Sequence, residues 1–124
     1  MYKKYSTACL MAIALVSLGA CSSTPKPRTE IALSNSALQN AEVAGAESHA
    51  PIELRTAKEK QALADAAMSR EKYTTAKQLA EQAAVDAEFA KAKSEAEKSR
   101  IALKEVEDSI RMIRTELNRS GDSE

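Results

Sequence analysis

The chain has 124 residues, with 18 basic and 18 acidic side chains and a formal net charge of zero. That length suits one domain at the small end of the usual range. There is no Trp, and there are one Phe and three Tyr. Tyr2 and Tyr5 fall in an N-terminal leader, so Tyr73 and Phe89 are the only rings of the remaining chain. This excludes an aromatic-rich core and a stacking platform for single-stranded nucleic acid. Few Gly and Pro among abundant Ala, Glu, Lys, Arg and Leu predict an all-α protein.

The leader reads as an address. Lys3 and Lys4 precede an uncharged run from Ala8 to Leu18. A positive start and about 7–15 apolar residues describe a secretory signal peptide, and the run falls short of the roughly 20 residues that span a bilayer. It leads into Leu18-Gly19-Ala20-Cys21, which resembles the lipobox of bacterial lipoproteins. The resemblance implies a diacylglycerol on Cys21, cleavage between Ala20 and Cys21, and acylation of the new amine. Two or three acyl chains anchor a protein firmly, where one anchors marginally. Ser22 stands where an Asp would resemble an inner-membrane retention signal, so the expected site is the outer membrane, facing the periplasm. Cys9 lies in the leader and Cys21 carries lipid, which leaves no thiol for a disulfide, a metal cluster or catalysis.

Residues 21–29 read as lipidated Cys and flexible tether, since Pro25, Pro27 and four hydroxyl residues suit neither helix nor core. A first helix is expected from about Glu30 to Ser48, capped by Thr29 or by a Ser36–Gln39 capping box, with Leu38, Ala41 and Gly45 on one side. Gly45 to Ala50 holds a break. A second helix starts at Pro51, whose fixed φ suits a first helical position. Its stripe is Leu54, Ala57, Ala64 and Met68, interrupted by Gln61.

A third segment meets no Gly or Pro from Glu71 until Gly121. From Tyr73 to Arg119 it is about 70 Å long at about 1.5 Å per residue. It carries two seams. Tyr73, Ala76, Ala80, Ala83, Ala87 and Ala90 form a small one, expected against the second helix. Val85, Phe89, Ala92, Ala96, Ser99, Leu103, Val106, Ile110, Ile113 and Leu117 form the other, stepping by four and three without a miss. The step from Ala83 to Val85 turns about 200°, so the seams lie on nearly opposite sides. A sustained pattern of this kind predicts a coiled-coil-like helix. Two shorter helices cannot cover its whole length. Leu103, Val106, Ile110, Ile113 and Leu117 are therefore expected to meet a protein partner, a second copy, or their own bundle after a bend.

The stretch Ala41-Glu42-Val43-Ala44-Gly45-Ala46, then Ala50-Pro51-Ile52-Glu53-Leu54-Arg55, then Tyr73 and Ala76-Lys77-Gln78-Leu79-Ala80-Glu81-Gln82-Ala83 resembles the domain of unknown function DUF4398 over about residues 34–93. The family is found in bacterial lipoproteins and in front of OmpA-like peptidoglycan-binding domains. The resemblance implies a helical cell-envelope module and no activity. Members commonly show Gly-Asp before the Tyr, where this chain has Glu71-Lys72. The expected division is signal peptide 1–20, tether 21–29, helical module 30–93, extension of the long helix 94–119, and a disordered tail 120–124.

No side-chain constellation points to catalysis, a cofactor or a metal. His49, the only histidine, sits in the interhelical break and reads as a surface turn residue. Glu105, Glu107 and Asp108 read as part of a solvated face, with Glu107–Arg111 as an intrahelical pair. Loss of Lys3 and Lys4 leaves 16 basic against 18 acidic residues, a net charge of −2 with no basic face, and nucleic acid is not an expected partner. The expectation is a non-enzymatic, outer-membrane-anchored structural or interaction lipoprotein. The alternative is non-covalent binding of peptidoglycan or another envelope component.

Overall fold

A computed structural model describes residues 25–121. The apolar run, Ala20, Cys21 and residues 122–124 lie outside them. Four helices follow in order: α1 Arg28–Val43, α2 Ala46–His49, α3 Pro51–Ser69 and α4 Tyr73–Gly121. No strand occurs among the described residues, and the protein is all-α.

The start of α1 departs from the expected caps. Pro27 occupies the cap position without a side-chain hydrogen bond, Thr29 lies inside the helix, and Ser36 is exposed in mid-helix. The end of the expected tether is docked, with Pro27 buried and the Lys26 ammonium 5.7 Å from the centre of the Tyr73 ring. The first helix also ends earlier than expected. Ala44 closes α1, and Gly45 turns the chain at φ +81, donating its N–H to the Glu42 carbonyl at 2.8 Å. This is the left-handed helix end that glycine favours. The single turn of α2 then leads through Ala50 to Pro51, which opens α3 as expected.

The turn from α3 to α4 forms on Glu71-Lys72. Glu71 adopts φ +57, its N–H bonds the Met68 carbonyl at 3.1 Å, and the Lys72 N–H bonds the Ala67 carbonyl at 2.9 Å. The pair of bonds is the Schellman pattern, built here on a residue with a Cβ.

Ion pairs between helices give their directions. Glu30 meets Lys77 at the start of α1, and the Ser94 hydroxyl donates to the Ala44 carbonyl at 2.7 Å at its end, so α1 runs parallel to α4. Lys60 meets Asp86 and Glu53 meets Lys93, so α3 runs antiparallel to α4. The result is an up-down-up bundle of three main helices.

Its core is small-residue packing. Ala76, Ala80, Ala83, Ala87 and Ala90 of α4 are all fully buried. They face both shorter helices: Ala87 and Ala90 share one cluster with Ala37, Leu38 and Ala41 of α1 and with Leu54 and Ala57 of α3. The seam thus serves two partners, where the sequence suggested the second helix alone. Small side chains let helix axes approach closely. The stripe of α3 is Leu54, Ala57, Gln61, Ala64 and Ala67, and Gln61 belongs to it. Its Oε1 accepts from the buried Ser34 hydroxyl of α1, and its amide donates to Asp65 Oδ1 at 3.3 Å. A polar pair inside an alanine core stays because each member satisfies the other.

Candidate functional site

The shorter helices run out where α4 does not. Ser94 is the last buried residue of α4. Lys98 still lays its side chain over Gly45, and from Ser99 to Gly121 the helix continues alone for about 35 Å at about 1.5 Å per residue. It does not bend home, and it runs two residues past the expected start of a tail. Since α1 is parallel to α4, this arm leaves the bundle at the end opposite Pro25.

The arm brings the expected contact residues together. Leu103, Val106, Ile110, Ile113 and Leu117 occupy one helical stripe and are 59, 55, 44, 60 and 65% exposed. The stripe continues down the outer face of the bundle through Phe89 and Val85, 59 and 68% exposed, behind the buried alanines. Scattered exposed apolar residues are ordinary on a protein surface, whereas these lie along one helix face over about 50 Å. Met112 is also exposed, about 100° round the helix from Ile113.

The arm is held helical locally. Arg100 grips Glu97 through two guanidinium nitrogens, Arg111 pairs with Asp108 at 3.3 Å, and Arg119 pairs with Glu116 at 3.2 Å. Arg111 thus takes Asp108, three residues away, in place of the expected Glu107. The Arg100 guanidinium holds the Glu97 carboxyl below the usual carboxylate range. Pairs of this type contribute about 0.2–0.5 kcal/mol each, enough to bias a lone helix and too little to fix it.

Elsewhere the surface offers little chemistry. An open groove of about 520 Å³ lies between α3 and α4, lined by Lys60, Gln78, Glu81, Gln82, Val85 and Asp86. Its one cation and the Asp86 carboxylate bind each other at 2.5 Å. His49 ends α2, half-buried, with its ring edge near Gly45. Among the described residues no group of three His, Cys, Asp or Glu could hold a metal ion, and no helix is long and apolar enough to cross a membrane. The expected lipidation site Cys21 and cleavage site Ala20–Cys21 fall outside the described residues.

No curated protein and no solved structure matches the chain. A family model does, and it reaches farther than the motifs around Pro51 and Tyr73. It covers residues 29–106, the whole bundle and the first turns of the arm, and the chain belongs to that family, DUF4398, a domain of unknown function.

Proposed function

We propose that the chain is a lipid-anchored lipoprotein of the outer membrane, facing the periplasm. In this reading it serves as a structural or interaction module and performs no catalysis. Lipid on Cys21 holds the N-terminal end at the bilayer, and the short segment after it joins the bundle at Pro27. The arm then points away from the membrane and carries its apolar stripe to a protein partner. The observation that carries the reading is the exposed stripe from Val85 to Leu117 on a helix that leaves the bundle at the end opposite Pro25. The motif Leu18-Gly19-Ala20-Cys21 supports the anchor.

The test compares wild type, Cys21→Ser and the double variant Ile110→Asp/Ile113→Asp in a Gram-negative host. Wild type should fractionate with outer membranes and carry lipid by mass spectrometry, and Cys21→Ser should lose both. Cross-linked pull-downs should recover a protein with wild type and not with the double variant. An unmodified Cys21 in the mature protein would overturn the anchor. Retention on isolated sacculi by wild type and double variant alike would overturn the stripe as the contact surface and favour peptidoglycan binding through charged faces.

A further inference from the structure

The stripe on α4 has enough internal order to name its occupant. Its spacing defines a heptad register with Phe89, Ala96, Leu103, Ile110 and Leu117 at a and Val85, Ala92, Ser99, Val106 and Ile113 at d. That is almost five heptads, more than the three to four that mark a coiled coil. Every position is on the outer face of α4, away from the buried alanines.

We propose that the occupant is the same stripe of further copies of this chain, aligned parallel and in register. The proposal rests on the reading of the arm as a contact surface with the anchored end at the N-terminus, because anchors in one membrane put all copies in the same direction. The shared anchor direction sets the alignment, and the charges along the middle of the stripe are compatible with it. In a parallel coiled coil the g residue of one helix meets the e residue five positions on in its neighbour. Here those pairs are Glu88 with Lys93 and Glu95 with Arg100 of the next copy, each of opposite sign. The next two are Ala102 with Glu107 and Ser109 with Arg114, which carry no repulsion, while beside Val85 Glu81 meets Asp86, whose charge is paired with Lys60. The reverse alignment that overlaps the same full stripe pairs Lys93 with Glu107 and Asp86 with Arg114, but sets Arg100 against its own equivalent and Glu88 against Glu116. Lys93 is 47% exposed while holding Glu53 and Arg100 is 69% exposed while holding Glu97, so each would share its charge between that partner and the next copy.

The apolar residues set the number of strands. In the distal half Leu103, Ile110 and Leu117 fill a, and β-branched Val106 and Ile113 fill d. Leu or Ile at a with β-branched residues at d turns parallel coils away from dimers towards three or four strands. Packing on the outer face leaves α1 and α3 on the outside of the assembly.

The test uses full chains with Cys9→Ser and Cys21→Ser, so that an added thiol is the only one. Ser120→Cys extends the d positions by one heptad, and Asn118→Cys, at b, is the outward control. The proposal expects rapid disulfide formation between copies for Ser120→Cys, at least tenfold faster than for Asn118→Cys, and a sedimentation mass of three or four chains. A disulfide that forms only when Val85→Cys and Leu117→Cys chains are mixed would overturn the parallel register. A mass of two chains would overturn the strand number. A monomer at every concentration would overturn self-association, and capture of a different protein by the wild-type stripe would then leave the contact-surface reading standing.

Discussion

Glu71 is the one described non-glycine residue with positive φ, and it makes the α3–α4 turn. The left-handed conformation costs an L-residue with a Cβ roughly 1–2 kcal/mol, and glycine is free of that cost. Glu71→Gly should therefore raise stability by about 1 kcal/mol, read as a higher midpoint in denaturant with an unchanged slope. Gly45 is the converse case. At φ +81 an added Cβ would stand 3.3 Å from Cε of Lys98, so the position is strained for any side chain and its space is taken as well. These two positions show what was readable at the level of residues. Gly45 and Pro51 announce their roles by type, whereas the Schellman turn at Glu71 is fixed by backbone bonds to Met68 and Ala67 that no residue type signals.

At the scale of elements the bundle is held by alanine packing and a few ion pairs across helices. Ala83 is fully buried between α4 and the shorter helices. Ala83→Leu should overpack this seam and cost about 1–3 kcal/mol, visible in thermal melts. The ion pairs give a pH signature. A hydrogen bond from Lys93 holds the Glu53 carboxyl below its ordinary 4.5, and Glu30, beside Lys77, is lowered as well, first by backbone hydrogen bonding. A lowered carboxylate contributes stability that is complete above its unfolded pKa and is lost as pH falls through the folded one. Stability should thus decline below about pH 4.5, and Glu53→Gln should flatten that decline while lowering stability at neutral pH. Lys58 behaves in the opposite sense. Glu42 accepts its hydrogen bond and raises it above 10.5, so its contribution is complete below that value and fades at higher pH. Denaturant midpoints across pH check both limbs.

The two seams of α4 were legible because helical periodicity survives in a long segment without Gly or Pro. The buried role of Gln61 was not, since an amide in an alanine stripe reads as an interruption until Ser34 is seen to donate to it. The boundary between α1 and α2 was blurred for a related reason. Ala44 to Ser48 has good helix formers on both sides of Gly45, and the Ser94 hydroxyl that caps the Ala44 carbonyl comes from 50 residues away. The contact stripe was readable as a pattern, but its exposure depended on where α1 and α3 stop, which tertiary packing decides.

The molecule as a whole has two parts on one helix. Between Tyr73 and Lys98 α4 is the spine of a bundle, with Ser94 its last buried residue and the Lys98 side chain over Gly45, and beyond that the same helix is an exposed arm. A lone helix of this length is marginal in water and should open far more readily than the bundle unless a partner covers its stripe. Backbone hydrogen exchange on the purified full chain, wild type against Ile110→Asp/Ile113→Asp, tests that division most directly. The account expects amides 103–117 to be protected in wild type and to lose at least tenfold of that protection in the double variant, with amides 76–94 unchanged in both. Loss of protection in 76–94 together with the arm would contradict it, because the stripe would then belong to the core of its own fold.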